Sequence, residues 1–454
     1  MLRLLLTTSL FLMCFSEAAY AQPALPEGLG GNPQTSGPQQ EPADQKHEKG
    51  PFSDWRISGF VDSRIAPRLT DPKDQEDLTS AETRMQIKAL RSWDGLTATI
   101  RADLLADAVA EEHSPDFNEG IGFLDLREAN LLWRPTSSLD IKAGRQILTW
   151  GTGDFLFLND LFPKDFQSFF IGRQDTYLKA PSDAVKASYF SDIANFDLVY
   201  TPQFDPDRFI NGQRLSAYNP FQRRITGDDN IFRTDRPNDA FTDDEWSARA
   251  HRTFGPYEAA LYAYDGFWKG PLGFESGNTG RLSFPKLSAY GASVRGPVLG
   301  GIGNVEFSYY DSREDRSGND PNVPNSQLRT LIGFKREIIT NLRGAMQYYT
   351  ENITDHDALV RNAPASAPIP DETRHLFTGK LVKSWPKEQI TATLFAFYSP
   401  SDQDGYIRPR VSWNVTDEWT FEAGANWLFG ENDYTQFGQL EDNTNAFVAI
   451  RYGF

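Results

Sequence analysis

Cysteine is nearly absent from this chain: one residue of 454, Cys14, carries a thiol. A single cysteine excludes an intrachain disulfide and a thiolate metal cluster, and no Cys-x-x-Cys-His run is present to attach haem covalently. Histidine is scarce too, with five in all: His47, His113, His251, His356 and His375. No Gly-x-Ser-x-Gly, His-Glu-x-x-His or phosphate-binding loop accompanies them, so the usual hydrolase, zincin and nucleotide signatures are missing. Asp103, Asp125, Glu258 and Glu306 are acids of the kind that pair in catalysis, yet a chain this rich in carboxylates makes any pair unremarkable. The expectation is no enzyme, no cofactor and no resident metal. An excess of basic charge is lacking as well. With 62 Asp and Glu against 45 Lys and Arg the net charge is −17, which argues against a nucleic-acid binder and against electrostatic docking on anionic lipid.

Long apolar runs are also missing. The N-terminus has Arg3 and then an apolar stretch, Leu4 to Phe15, of about a dozen residues, followed by Ala19-Tyr20-Ala21. That layout reads as a secretory signal peptide over 1–21, too short to span the ~30 Å of a bilayer core as a helix. Cys14 leaves with it. Residues 22–50, rich in Pro, Gly, Gln and charge, read as a flexible periplasmic leader that buries too little apolar surface to order itself. No later stretch approaches the roughly 18 apolar residues of a transmembrane helix. An exported chain without such an anchor is either a soluble periplasmic protein or a barrel that crosses with strands.

What the rest contains is alternation. In the last ten residues Ala446, Val448, Ile450, Tyr452 and Phe454 share one face of a strand, and Asn445, Phe447, Ala449, Arg451 and Gly453 the other. Trp419, Phe421, Ala423, Ala425, Trp427 and Phe429 alternate in the same way with Thr420, Glu422, Gly424, Asn426 and Leu428. Similar patterns recur around 96–104, 328–335 and 406–415. A soluble β-sandwich alternates as well, but needs neither so many strands nor tryptophans at the segment ends, such as Trp55, Trp93, Trp133, Trp413, Trp419 and Trp427, where interface girdles lie. The fold class expected is therefore all-β: a single transmembrane antiparallel β-barrel over 51–454, of about 18 strands with 16 as the alternative. Tight turns fall near 93–95, 135–138, 192–195, 254–256, 296–303, 339–340, 386–388 and 416–418. Longer connections lie between them, the longest being 149–179 and 202–244.

Those longer connections carry roughly −20 of charge, about the whole net charge of the chain. The strands are left near neutral, with polar faces that suit a hydrated lumen. The pore-lining candidates are Arg56, Arg84, Arg101, Arg127, Lys142, Arg145, Arg329, Arg343, Arg408, Arg410 and Glu422. Either these cations attract anionic solutes, or they pair with carboxylates on neighbouring strands and fill the lumen. The acidic loops suit divalent cations or metal-bridged lipopolysaccharide.

The chain resembles the Gram-negative outer-membrane porin-like barrels over nearly all of 51–454. The residues that carry this are Phe454, Tyr452, Ile450 and Val448, the terminal aromatic with alternating apolar partners that the barrel-assembly machinery reads in that family. A second, local feature is Gly144-Arg145-Gln146-Ile147-Leu148-Thr149-Trp150-Gly151, similar to a strand end in alginate-export-like barrels; no alginate substrate is carried over with it. The resemblance implies a bacterial outer-membrane location in contact with lipid and lipopolysaccharide, and a channel for small hydrophilic solutes; cations beside an apolar constriction would suit organic anions. It also implies a third loop folded into the pore, the alternative for 149–179 being a loop that caps the rim or extends the neighbouring strands. Here that loop is unusually apolar, and Phe155, Phe157, Phe162 and Phe166, with Arg173, are the constriction candidates. Arg173, Asp175 and Lys179 are the polar groups nearest it, and Arg101 and Arg145 are expected to join Arg173 in flanking the apolar ridge. The alternative is a passive barrel that sheathes a partner, such as a multihaem cytochrome in an electron conduit.

Overall fold

The computed structural model describes residues 54–71, 75–109, 113–275, 280–365 and 367–454. The signal peptide and leader expected over 1–21 and 22–50 lie outside the described residues. Eighteen strands form one sheet. In chain order they are β1 (Arg56–Pro67), β2 (Leu78–Trp93), β3 (Leu96–Asp107), β4 (Leu124–Thr136), β5 (Leu139–Ile147) and β6 (Pro181–Tyr189). They continue as β7 (Asn195–Thr201), β8 (Glu245–Phe254), β9 (Tyr257–Phe267), β10 (Lys286–Val298), β11 (Gly301–Ser312) and β12 (Gln327–Ile339). The last six are β13 (Leu342–Ile353), β14 (Thr373–Trp385), β15 (Ile390–Ser399), β16 (Asp404–Asn414), β17 (Trp419–Gly430) and β18 (Asn445–Gly453).

Each strand pairs antiparallel with the next, and β18 returns to β1 through Phe60↔Gly453, Asp62↔Arg451 and Arg64↔Ala449. Gly59 N donates to Phe454 O at 2.8 Å and Phe454 N to Gly59 O at 2.9 Å, which finishes the seam. A Cβ on Gly59 would fall 2.7 Å from the Phe454 ring, so glycine there makes room for the terminal aromatic. Closure leaves no unpaired edge, the condition for strands in lipid. The sandwich alternative is overturned: there is one closed sheet. Short turns and long loops alternate at opposite ends, as their chemistry foretells. Positive φ at Gly95 and Asn341 gives the tight reversals at one end.

The faces follow the pleat. On the outer face Ile57, Ile100, Leu131, Leu261, Val294, Ile332, Met346, Leu381, Val411 and Val448 are exposed. In water such a band would invite association; against acyl chains it is matched to its solvent. Trp93, Trp133, Trp385, Trp413, Trp419 and Tyr452 sit exposed on the short-turn side, where an aromatic girdle meets headgroups. Among the described residues no helix is long and apolar enough to cross a membrane.

One bulge re-aims the wall. Arg101 of β3 faces Glu128 and Ala102 faces Leu126, so Arg127 is the extra residue in β4. Such a kink points two successive side chains to one side, and both Arg127 and Glu128 enter the lumen.

Candidate functional site

The interior is largely filled by the chain itself. The connection between β5 and β6, residues 148–180, touches inward-facing groups of strands around the circumference, which is possible only from inside. At its start the Glu306 carboxylate of β11 accepts from Thr152 N, from Thr152 Oγ1 at 2.6 Å, from Gly153 N at 2.9 Å and from Asn159 Nδ2 at 2.9 Å. Midway a single helical turn, α1 (Phe166–Phe170), is capped by Asp165, whose Oδ1 accepts from Ser168 N at 2.7 Å. Such a carboxylate satisfies an amide that the first turn leaves orphaned. Beyond it Arg64 Nη1 of β1 donates to Gly172 O at 2.7 Å, and Arg173 forks onto Glu82 of β2 at 2.8 and 2.5 Å. Gly172 has φ +79° and its absent Cβ leaves space for the Phe447 ring of β18.

The apolar residues of the loop bury against the opposite wall. Leu158, Phe169, Phe170, Ile171 and Leu178 join Leu331, Tyr349, Leu376, Phe395, Phe397, Tyr406 and Leu428 in one core inside the barrel. Phe155 stacks edge-on against Phe395 at 4.7 Å and lies 5.5 Å from Phe169. Phe162 packs on Trp150 at 4.9 Å in a separate cluster. Phe157 lies under the Lys164 ammonium at 4.5 Å, and Phe166 packs at the margin of the main core. Each buried Phe is worth ~1.5–3 kcal/mol, enough in sum to seat a loop without a disulfide.

The remaining candidates divide by surroundings. Arg84 is buried on Asp103 at 2.6 Å and Arg127 donates to Lys179 O at 2.6 Å; Tyr177 lies between the two guanidinia, 4.5 and 4.9 Å away, with its hydroxyl on Asp103. The two arginines lie beneath the loop, covered by its Tyr177, rather than facing open water. Arg101 and Lys142 reach Glu128 at 2.7 and 3.8 Å. Arg329 lies over the Tyr310 ring at 4.0 Å and reaches Glu351 at 3.3 Å. Glu422 is shared by Arg64 and Arg410. Arg56 and Arg343 stand exposed near the short-turn rim, on the inward parity of β1 and β13.

Arg145 departs from the expectation. Lys142 faces inward, and Arg145, three residues on, shares the outer parity with Asp183 of β6, to which it is bridged at 2.7 Å. It is tucked beneath Phe117 and donates to Leu126 O. Its neighbour Gly144 has φ +111°, and a Cβ there would meet Ala129 O at 2.4 Å; the motif has a local backbone reason. The trio expected to flank the ridge is corrected accordingly. Arg173 is neutralised on Glu82, Arg101 on Glu128, and Arg145 lies outside.

The cations that face the loop's exposed side are others. Arg408 Nη1 is 3.1 Å from Asp175 Oδ1, while Arg410 and Lys380 each stand 4.0 Å from that carboxylate. Further round, Lys335 and Lys380 flank Ala345 in one inward row of β12–β14, Arg343 stands two residues along β13, and Arg295 and Asp154 line the same recess as Lys335.

Sequence reasoning missed three groups. Arg208, from the 202–244 loop, forks onto Asp125 at 2.9 and 3.0 Å and reaches Asp165 at 3.3 Å. Nothing in an aperiodic loop marks it. Glu82 and Glu128 had a signal: Glu82 falls on the every-second-residue polar face with Ser80 and Arg84, and Arg127-Glu128 breaks the alternation where the bulge lies. Of the histidines in strands, His251 lies beside Arg249 and Asp197, and His375 is hydrogen-bonded to Tyr348 at 2.8 Å.

No protein-family model matches the sequence, and no curated protein matches it. Solved structures do. OccAB4 of Acinetobacter baumannii is similar with a TM-score of 0.54 at 8% identity, covering 88% of this chain and 98% of that one. OccAB1 of the same organism gives 0.51 at 10% identity, over 88% and 96%. The outer membrane channel DcaP of Acinetobacter baumannii gives 0.42 at 13% identity, over 88% and 97%. At these identities the likeness to OccAB4 and OccAB1 shows the fold alone: this chain is a closed 18-stranded antiparallel barrel of the kind those two proteins share.

Proposed function

We propose that the protein is a non-enzymatic outer-membrane channel that passes small hydrophilic solutes, organic anions among them, with residues 148–180 as its constriction. The observation that carries this is the loop's position: it lies within a closed barrel and is tied to strands on all sides, so solutes must pass it. The fold likeness to solved outer-membrane proteins supports the location. The anion preference rests on the basic wall of Arg295, Lys335, Arg343 and Lys380, since fixed charge of one sign raises the local concentration of the other. A barrel whose lumen holds its own loops has little room for a sheathed cytochrome, which disfavours the scaffold reading. In this reading residues 1–21 direct export, the long loops face lipopolysaccharide, and Tyr452 and Phe454 serve recognition by the assembly machinery.

Planar-bilayer recordings of the refolded protein test it. Discrete conductance steps with an anion-leaning reversal potential in asymmetric salt are expected; folded protein that yields no steps overturns the reading. Deleting Phe454, which takes part in the seam and touches no lumen group, should lower the amount of barrel in the outer membrane. Unchanged levels would remove it from the assembly signal.

A further inference from the structure

The cluster around Asp175 has a shape that the filling of space does not explain. Lys380, Phe395 and Arg408 form one row across β14, β15 and β16, being cross-strand partners in turn. Arg410 stands two residues further along β16 on the same face. All three cations are held by the wall, their side chains only 4% (Arg408), 16% (Arg410) and 27% (Lys380) exposed, whereas the Asp175 side chain is 44% exposed. The carboxylate is thus the part of the cluster that faces water.

Asp175 fills this site poorly. One of its contacts, 3.1 Å to Arg408, is of hydrogen-bond length, and the other two are 4.0 Å. Arg408 gives its second terminal nitrogen to Arg173 O at 2.7 Å, and its Nε is buried with no partner. The other acid of the neighbourhood, Glu422, is shared between Arg410 and Arg64. Lys380 and Arg408 therefore share one tethered loop carboxylate while Arg410 divides between it and Glu422, and with Arg64 also on Glu422 four cations face these two acids, an excess of positive charge. A guanidinium fork is built to take a carboxylate with two parallel bonds, a geometry that the backbone of the loop denies to Asp175.

We propose that Asp175 is a built-in counter-ion occupying a carboxylate-binding site formed by Lys380, Arg408 and Arg410, and that a carboxylate solute displaces it as it passes. The proposal rests on the channel reading and adds the site and the exchange. One carboxylate replaces another, so the charge of the wall stays compensated throughout. An ion pair this open to water is weak and readily exchanged. The release is local, because Arg173 on Glu82 and Tyr177 on Asp103 hold the loop on either side of Asp175. The turn between them loosens when its counter-ion is replaced.

The test uses the full-length protein folded in detergent, with acetate as the probe, followed by broadening of its carboxylate carbon resonance. Asp175→Asn removes the competitor, so acetate should bind tighter by up to about fivefold, the worth of one exposed ion pair. Asp175→Glu should restore the wild-type affinity. Lys380→Gln, with Asp175 in place, should weaken acetate binding. Equal affinity in the wild type and Asp175→Asn overturns the proposal, as does Lys380→Gln without effect, which also covers the case of an Asp175 variant that fails to fold. These titrations do not depend on conduction. Absence of current in bilayers would strike the channel reading, and unchanged acetate affinity would strike only the exchange.

Discussion

On the β1–β4 side of the lumen the constriction loop is tied by charge, and on the β12–β17 side it lies on hydrocarbon. The first side offers Arg64, Glu82, Arg84, Asp103, Asp125 and Arg127, most of them buried against loop carbonyls, Arg173, Tyr177 or Arg208. The second offers Leu331, Tyr349, Leu376, Phe395, Phe397, Tyr406 and Leu428 to the loop's Phe169, Phe170, Ile171 and Leu178. Apolar contact contributes most of the net stabilisation but is indifferent to register. Buried ion pairs contribute little net energy, because desolvation offsets their attraction, while a mispaired charge is heavily penalised. The hydrocarbon side holds the loop in, and the charged side specifies where it stops.

The largest expected effect comes from removing the apolar ridge of the loop together with Asp165, its anchor to Arg208. Deleting Phe155 to Phe170 should raise single-channel conductance severalfold and weaken charge selectivity. Unchanged conductance in a folded deletion would mean that the loop does not limit the pore.

The next pair sharpens the contrast between the sides. Arg208→Ala leaves Asp125 and Asp165 buried without their shared partner, a change that costs about 3–5 kcal/mol. Phe169→Ala opens a cavity at a similar cost of about 3–5 kcal/mol. Both should add loop flicker to single-channel records, and the Arg208 variant should recover further than the Phe169 variant as pH falls, because protonation relieves the buried negative charge that Arg208 leaves unpaired and relieves no cavity. Identical pH behaviour in the two variants would dissolve the distinction.

The smallest effect is a pH dependence carried by the 202–244 loop at Asp207, next to Arg208. Partial burial, offset in part by Lys164, pushes the Asp207 carboxyl up to about 6, and its Oδ1 accepts from Lys164 N at 2.7 Å. The folded value lies above that of an unfolded aspartate, so the associated stability is complete at low pH and is lost as pH rises through about 6. Wild-type flicker should therefore increase modestly between about pH 4 and pH 6, the window between the unfolded and folded values. Asp207→Asn should flatten the profile, and a persistent slope would assign it to another group.

Much of this molecule is written in local pattern. A strand's pleat has period two, and lipid tolerates only apolar groups on one side, so residues such as Val448 and Arg451 declare their faces without knowledge of their neighbours. Turn chemistry at Gly95 or 416–418 sets the short ends in the same way. Arg145 shows where the pattern fails. Its charge suggests the lumen, but the register with Asp183, which only the paired strand supplies, turns it outward. The bulge at Arg127 is another such case, since one extra residue reverses parity beyond it.

The sequence by itself determined the class of fold, a strand number of 18 or 16, the alternation of long and short connections and the apolar character of the constriction loop, because each follows from the chemistry of a few adjacent residues. The tertiary structure alone decided which charges meet. Arg208 finds Asp125 across 83 positions and Arg408 finds Asp175 across 233. Those distances along the chain are closed by the barrel's circumference and by the path of a loop through it, and side-chain periodicity holds no information about either.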